Sequence, residues 1–132
     1  MLYLDSAVFA YAALNREATG NRARQLLRKV TGGHEEAGSC SLTFDELVWV
    51  VRKHRAREDA IAAGESFLTL PNLRVLAVDQ DTIFSAVTLM RRYPLDPRDA
   101  IHASAAIANE CSAIVSSDVH FDQLKEITRQ TI

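Results

Sequence analysis

The segment at residues 95–108 constrains the fold more than any other part of the chain. Its predicted helix begins at Asp96 and Pro97, a pair typical of the N-cap and the first position of a helix. The residues from Ala100 to Ala108 are almost all small or apolar, so this helix has no broad polar face and must be packed on several sides. Asp99 falls at the third helical position, which places a carboxylate at the edge of the core.

Short apolar runs alternate with helical segments along the rest of the chain. The runs are too short for helices and predict buried strands at residues 1–4, 37–41, 73–78 and 112–115, with an edge strand at 126–128. Helical spacing predicts helices at residues 7–14, 21–30, 43–51, 60–70 and 79–92, and a short helix at 119–124. Strands joined through helices need crossover connections, so the pattern predicts an α/β fold with helices on both faces of a parallel sheet.

Sequence patterns also predict how some of these helices begin and which of their faces are apolar. Ser6 is placed to cap the first helix, and Thr43 followed three residues later by Glu46 is the pattern of a capping box. In the helix at 79–92, one apolar face is formed by Ile83, Ala86, Val87 and Met90. The helices at 21–30 and 60–70 carry more apolar positions than one face of a small sheet requires, which predicts a symmetric homodimer.

Bulk composition limits the class of protein. With 132 residues, of which 48% are hydrophobic, residues 1–132 are predicted to form a single domain with a real core. The net charge of -2 and the pI near 6.1 exclude a globally basic protein. Cys40 and Cys111 lie in apolar surroundings without metal-type spacing, and no signal peptide or long apolar span is present. A reduced, cytoplasmic protein without a membrane segment is therefore expected.

Four carboxylates are placed to meet at one edge of the predicted sheet. Asp5 and Asp118 follow buried strands, and Glu46 and Asp99 lie in the first turns of helices. In an open parallel sheet, strand carboxyl ends and the following helix starts share one edge, where ligands bind at the point at which the strand order reverses. Two carboxylates about 5 Å apart repel by roughly 3 kcal/mol at an effective dielectric constant of 20, so this group needs a cation.

The chemistry of these ligands points to a particular kind of cation. Hard oxygen ligands without clustered cysteine or histidine favour Mg2+ or Mn2+ over zinc, and such a site supports phosphodiester hydrolysis. Each carboxylate also has a structural alternative: Glu46 as part of the capping box, Asp99 as a partner of the helix dipole, Asp118 as a cap. Asp5 has the weakest alternative, because Ser6 can be the cap in its place.

Four segments resemble the motifs of one nuclease family. They are LYLDS at residues 2–6, TFDEL at 43–47, DAIHA at 99–103 and IVSSDVHF at 114–121. Their order along the whole chain resembles the four signature regions of PIN-domain ribonucleases. The likeness is closest to the stand-alone PIN toxins of the virulence-associated protein C type, found in toxin-antitoxin pairs.

The resemblance implies a fold, an activity and partners. The implied fold is a three-layer α/β/α sandwich with a five-stranded parallel sheet. The implied activity is a Mg2+- or Mn2+-dependent endoribonuclease acting on an RNA substrate, with a cognate antitoxin protein as partner and frequent homodimers. By position, the resemblance assigns metal-site roles to Asp5, Glu46, Asp99 and Asp118.

This chain departs from the family at one position. The family commonly has Asn two residues after the first Asp, where this chain has Ala7, so one polar contact is missing. Ser6 and Ser117 are predicted to support the metal ligands through their hydroxyls, and Asp122 is a further candidate whose alternative is an exposed acid at a helix start. His102 is interpreted as a packed wall residue rather than a ligand or a base.

Capture of RNA by an acidic chain requires a local basic surface. The densest cluster comprises Arg52, Lys53, Arg55 and Arg57, with Arg98 beside the predicted metal site. The alternative is that these side chains only stabilise the end of a helix through its dipole.

Three functions remain open on the sequence. The leading hypothesis is the metal-dependent endoribonuclease, and the second is a PIN-like RNA-binding or assembly module with weakened catalysis, which Ala7 permits. The third is a phosphatase or phosphoryl-transfer receiver with an Asp nucleophile. Against the third, Asp5 has no second Asp two residues later, and no Lys follows the last buried strand until Lys125.

Overall fold

A five-stranded sheet lies between two layers of helices in the computed structural model, which describes residues 1–132. The strands are β1 (Leu2–Leu4), β2 (Ala37–Cys40), β3 (Leu73–Leu76), β4 (Ala113–Val115) and β5 (Thr128–Gln130). The helices are α1 (Ser6–Leu14), α2 (Ala18–Thr31), α3 (Leu42–His54), α4 (Arg57–Leu68), α5 (Gln80–Arg92) and α6 (Pro97–Ala108), followed by a 3-10 helix at Val119–Gln123. The predicted α/β/α sandwich is confirmed. None of the helices combines the length and the hydropathy that a membrane-spanning segment needs.

The sheet is parallel throughout, with the strand order β3-β2-β1-β4-β5. Side chains alternate between its two faces, so Tyr3 joins the core beneath α5 and α6, whereas Leu4 joins the core beneath α1 to α4. Strands β2 and β3 extend the sheet on one side of β1, and β4 and β5 extend it on the other side. The reversal lies between β1 and β4, where an α/β sheet leaves a crevice at its carboxyl edge.

Helix α6 is the buried helix that the sequence predicts. Pro97 occupies its first position, and Ala100, Ala103 and Ala106 are fully buried. The small side chains allow α6 to pack closely against both α5 and the sheet. Asp99 consequently lies in the first turn of a helix whose position is fixed on several sides.

Two predicted helix starts are wrong. Asp5, not Ser6, caps α1, because the Asp5 side chain accepts the backbone N–H of Ser6. The capping box of Thr43 and Glu46 does not form, since α3 begins one residue before Thr43. The Thr43 hydroxyl is buried and bonds to Ser39 at 2.7 Å, which leaves the Glu46 side chain to other partners.

The predicted apolar face of α5 is also wrong in part. Helix α5 packs on α6 through the stripe that contains Ala86 and Leu89. The neighbouring stripe is rotated away, so Ile83, Val87 and Met90 remain 40%, 42% and 40% exposed. Phe84 beside them is 64% exposed, so α5 carries the largest uncovered apolar surface of the chain.

The apolar residues that predicted self-association are mostly covered within the chain. On α2, Ala23 and Val30 are buried, and on α4, Ala60 and Phe67 are buried in the same core. The layer formed by α1 to α4 therefore covers most of its own apolar side chains, because α1 packs on α2 and α3 packs on α4. Helix α5 leaves Ile83, Phe84, Val87 and Met90 exposed instead.

Candidate metal centre

The carboxyl ends of β1 and β4 place Asp5 and Ser116 side by side. Leu4 and Val115 are register partners, so the residues that follow them are neighbours at the sheet edge. The Ser116 hydroxyl donates to Asp5 Oδ2 at 2.6 Å and accepts the backbone N–H of Asp118 at 3.0 Å. Ser116 therefore links two of the predicted metal ligands, a role that the sequence analysis gave to Ser117.

Asp5 is held rigidly at the centre of the site. It is 7% exposed, and its Oδ1 accepts the backbone N–H of Ser6 at 2.7 Å while its Oδ2 accepts Ser116. The Ser6 hydroxyl lies 3.4 Å from Oδ1, and its hydrogen bond to Glu46 also lowers the pKa of that residue. The cap of α1 thus fixes the direction of the Asp5 carboxylate.

Glu46 reaches the same place from α3 and meets His102 from α6. His102 Nε2 lies 2.5 Å from Glu46 Oε2 and 3.7 Å from Asp5 Oδ1. Burial raises the pKa of Glu46, but the hydrogen bond and charge of His102 lower it by more, so the net pKa is below its ordinary value. Burial lowers the pKa of His102, whereas its contacts with Cys40, Glu46 and Asp5 raise it, to about 10. His102 is thus buried as predicted, but it is also a member of the site.

Asp99 and Asp118 form the other half of the site. Asp118 Oδ1 accepts the backbone N–H of His120 at 2.8 Å and lies 2.9 Å from His120 Nδ1. Asp99 makes no hydrogen bond or ion pair through its side chain, and burial, followed by the charges of Asp118 and Asp5, raises its pKa to about 6. An acidic side chain is therefore held beside two others without a cationic partner of its own.

The four predicted carboxylates fall into two adjacent groups. Ligand atoms of Asp5, Glu46 and His102 lie within 4.8 Å of one another, as do those of Asp99, Asp118 and His120. The donors that face inward are mainly carboxylate oxygens, which fit Mg2+ or Mn2+. The raised pKa of Asp99 supports this fit, because a bound cation would supply further positive charge beside Asp118 and Asp5.

Two clefts open beside these carboxylates. A polar cleft of about 450 Å3 is lined by Glu46, Asp96, Pro97, Arg98, Asp99, Asp118 and His120. A larger and more apolar cleft of about 720 Å3 runs along α1 and α3, from Glu46, Ala7 and Ser117 to Leu14 and Arg55. Glu46 lines both clefts, so the site can be reached from two sides.

Comparison with known proteins agrees with this geometry. The family model of the PIN domain matches residues 2–127. The chain belongs to the PIN domain family. The resemblance drawn from the four sequence motifs is thereby confirmed.

Relatives of this PIN domain include several toxin-antitoxin proteins. Ribonuclease VapC7 from Mycobacterium tuberculosis is 28% identical over 130 residues, which span 96% of this chain and 88% of the relative. The DNA-bound VapBC from Salmonella typhimurium has a TM-score of 0.77 at 18% identity, covering 98% of this chain and 96% of that one. VapC20 from M. tuberculosis, a sarcin-ricin loop cleaving toxin, has a TM-score of 0.71 at 15% identity, covering 86% of this chain and 87% of that one. The two structural matches share the fold.

Only some of the other predicted site residues of the PIN domain line the two clefts. Arg98 lines the polar cleft, with its Nε 4.0 Å from Glu46 Oε1, and Arg55 lines the apolar cleft. Outside both clefts lie the other basic residues, Arg52, Lys53 and Arg57. Asp122 is bound by Arg129 at 2.8 and 2.9 Å and lines neither cleft.

Two site residues were not singled out from the sequence. Ser116 was missed because the register of β1 and β4 depends on the assembled sheet. His120 was quoted within a motif, but nothing local showed that the 3-10 helix turns it back onto Asp118. A polar residue directly after a buried strand, as at Ser116, was the one usable signal.

Proposed function

We propose that this PIN domain is a Mg2+- or Mn2+-dependent endoribonuclease, the toxin of a toxin-antitoxin pair. The observation that carries the proposal is Asp99, whose half-buried side chain lies beside Asp118 and Asp5 and forms no hydrogen bond or ion pair. The ribonuclease relative, which matches nearly the whole chain, supports RNA as the substrate.

The residues of the site have different roles in the proposed reaction. Asp5, Glu46, Asp99 and Asp118 would hold the cation, which when bound supplies an activated water and stabilises charge on the phosphate. Arg98 lines the same polar cleft and can contact a phosphate oxygen of the RNA. Ser116 keeps Asp5 and the backbone of Asp118 in fixed relation.

Cleavage of RNA tests this proposal directly. Micromolar protein is incubated with a mixed RNA in Mn2+, in Mg2+ and in chelator, and the products are sized. We expect cleavage at internal positions in both metals and none in chelator. RNA that is bound but left intact in every condition would instead support the second candidate, an RNA-binding module with weakened catalysis.

Ala7 is the observation that keeps this second candidate open. Ala7 lines the apolar cleft next to Ser6 and Glu46, and its methyl group offers no hydrogen bond there. The four acidic residues do not depend on that contact, because Asp5 is already fixed by Ser6 and Ser116. Catalysis is therefore the stronger of the two proposals.

The apolar cleft fits a protein partner better than RNA. Its apolar lining is formed by Ala7, Ala10, Tyr11, Leu14 and Val50. A segment of an antitoxin that fills this cleft would lie against Glu46 and block the metal site. A short gene next to the one encoding this chain, with a basic DNA-binding start, would support this partner.

The expected compartment follows from the cysteines. Cys40 and Cys111 are both buried and unpaired. Buried thiols without a disulfide fit a protein that works in a reducing compartment, and a toxin that acts on cellular RNA must reach it there. We infer a cytoplasmic location.

The basic cluster predicts how RNA binding depends on salt. Reversing the charges of Arg52 and Lys53, both exposed at the end of α3, should weaken RNA binding and reduce the dependence of log affinity on log salt by about 1 to 2. Reversal of Arg28 and Lys29 on α2 makes the same change of charge elsewhere and is the control. Filter binding at several salt concentrations measures both. Equal affinity and slope in the two variants would remove this surface from the proposal.

The uncovered face of α5 predicts where two copies meet. Packing α5 antiparallel on its copy would bury Phe84 and Val87 and bring Asp81 of each helix close to Arg91 of the other. Val87→Lys should therefore shift the protein to monomer in sedimentation, whereas Leu68→Lys on α4, also at an exposed apolar residue, should not. A parent protein that stays monomeric at high micromolar concentration would contradict the homodimer.

A further inference from the structure

We propose that His102 is a positioning residue that aims Glu46 at the metal site without binding the cation itself. The inference rests on the metal site of the proposed function. His102 is 1% exposed, and its Nε2 lies 2.5 Å from Glu46 Oε2. The other cation near Glu46 is Arg98, whose Nε is 4.0 Å away on a side chain that is 56% exposed. The Ser6 hydroxyl is a further but weaker partner of Glu46, so the direction of the Glu46 carboxylate depends mainly on His102.

The local structure of α3 leaves Glu46 in need of such a partner. Glu46 lies in the first turns of the helix, but the Thr43 hydroxyl that would have completed a capping box is bound to Ser39. A glutamate has three side-chain torsions, and a free one would sample many positions around the two clefts. A short bond to a buried ring removes most of that freedom.

The chemistry of the contact argues against His102 as a metal ligand. The Tyr3 hydroxyl accepts the Cys40 N–H and can donate its own proton to Nδ1, an arrangement that puts the ring proton on Nε2, where it is donated to the Glu46 carboxylate. A protonated ring nitrogen has no lone pair to offer a cation. The proximity of Nε2 to Glu46 therefore reflects a hydrogen bond, whereas Asp5 Oδ1 lies 3.7 Å away, and the ligands in this half of the site are the two carboxylates.

The sheet itself orients the His102 ring. The Tyr3 hydroxyl, on β1, lies 2.7 Å from His102 Nδ1 and accepts the backbone N–H of Cys40, on β2, at 3.2 Å. Tyr3 is fully buried, and the two rings meet edge to face with centroids 5.8 Å apart. A continuous chain of contacts thus runs from the backbone of β2 through Tyr3 and His102 to Glu46. Partners of this kind typically change metal affinity by 10- to 100-fold.

Two uncharged replacements of His102 provide the test. His102→Gln keeps a side-chain N–H donor that can reach Glu46, whereas His102→Leu fills similar space with no donor. Because both replacements remove any charge of the ring, the difference in Mn2+ affinity between the two variants reports the hydrogen bond alone. We expect Mn2+ to bind the Leu variant at least about tenfold more weakly than the Gln variant, measured by calorimetry without RNA. Equal affinities would overturn the proposal.

A second comparison shows whether His102 acts through Glu46. In a Glu46→Ala background, the Leu and Gln variants should bind Mn2+ equally, because the side chain that they orient is absent. A tenfold difference that persists in this background would overturn the proposal, since His102 would then act by another route.

A third variant covers the case in which a replacement of His102 fails to fold. Tyr3→Phe keeps the ring of Tyr3 and removes its bond to Nδ1, so Mn2+ affinity should fall several-fold. Tyr93→Phe, which loses a surface bond to Glu126, is the control and should bind Mn2+ as the parent does. Unchanged affinity in Tyr3→Phe together with unfolded His102 variants would also overturn the proposal. RNA cleavage enters none of these measurements, so an inactive parent that binds Mn2+ would reject the ribonuclease and leave this inference standing.

Discussion

Asp5→Asn is expected to abolish metal-dependent RNA cleavage and to leave the fold intact. The amide oxygen can still accept the backbone N–H of Ser6, and the amide nitrogen can donate to the Ser116 hydroxyl, so both contacts of the buried side chain survive. What is lost is the negative charge at the centre of the site. If the cation contributes several kcal/mol to the transition state, a poorly held cation lowers the cleavage rate by at least about 100-fold.

The measurement compares initial rates of RNA cleavage in Mn2+ with circular dichroism of the same samples. Asp59→Asn, which makes the same chemical change at an exposed position of α4, is the control and should cleave at the parent's rate. Zn2+ is not expected to replace Mn2+ well, because the donors are mainly carboxylate oxygens. Full activity in Asp5→Asn would remove this site from the proposed mechanism.

The fold could be predicted because its signals are local. Strands β1 and β4 are short apolar runs, β2 and β3 are short runs with only one or two polar or glycine positions, and the helices between the strands show helical spacing. Only β5 began two residues later than predicted, at Thr128, since an edge strand has one neighbour and a weaker apolar pattern. The order of the strands required the assembled sheet.

The candidate site was predictable in its residue types and less so in its contacts. Asp5, Glu46, Asp99 and Asp118 were chosen because each follows a strand or begins a helix, and these positions share an edge in any parallel sheet. The choice of Ser117 over Ser116 failed because only the pairing of Leu4 with Val115 shows which serine faces Asp5.

Side-chain competition explains the other errors. The capping box depended on Thr43, whose hydroxyl was taken by Ser39 on the neighbouring strand. The face of α5 depended on periodicity, but α6 offers alanines, and the stripe with Ala86 and Leu89 packs against them more closely. In both cases a tertiary contact prevailed over a local preference worth about 1 kcal/mol.

Asp99→Asn should distinguish a metal ligand from an ordinary acid at a helix start, because the two roles change stability in opposite directions. An acid that serves only the dipole of α6 contributes about 0.3 to 1 kcal/mol, so its loss would lower the melting temperature. In the structure, however, Asp99 caps no backbone N–H, and burial and the charges of Asp118 and Asp5 raise its pKa to about 6. After allowance for solvent screening, burial of the ionised Asp99 and its repulsion by the other two carboxylates together cost about 1 to 2 kcal/mol at neutral pH. The variant in chelator should therefore be at least as stable as the parent.

The sign of this effect can be checked with pH. A carboxyl whose pKa is raised in the folded state destabilises the protein as it ionises, so the cost appears as the pH rises from about 4 through about 6. At pH 4, Asp99 is largely protonated in the folded protein, and the advantage of Asp99→Asn should disappear. An advantage of Asp99→Asn that is the same at pH 4 and pH 7 would mean that the ionisation of Asp99 is not its source.

Mn2+ should reverse the order of stability of the parent and the Asp99→Asn variant. Millimolar Mn2+ that exceeds its dissociation constant 100-fold stabilises the folded parent by about 2.7 kcal/mol through mass action. Asp99→Asn removes one ligand charge, so its melting temperature should rise much less, and the parent should become the more stable protein. Thermal scans of both proteins in chelator and in Mn2+ measure this crossing. A destabilised variant whose melting temperature still rises fully with Mn2+ would show that Asp99 serves only its helix.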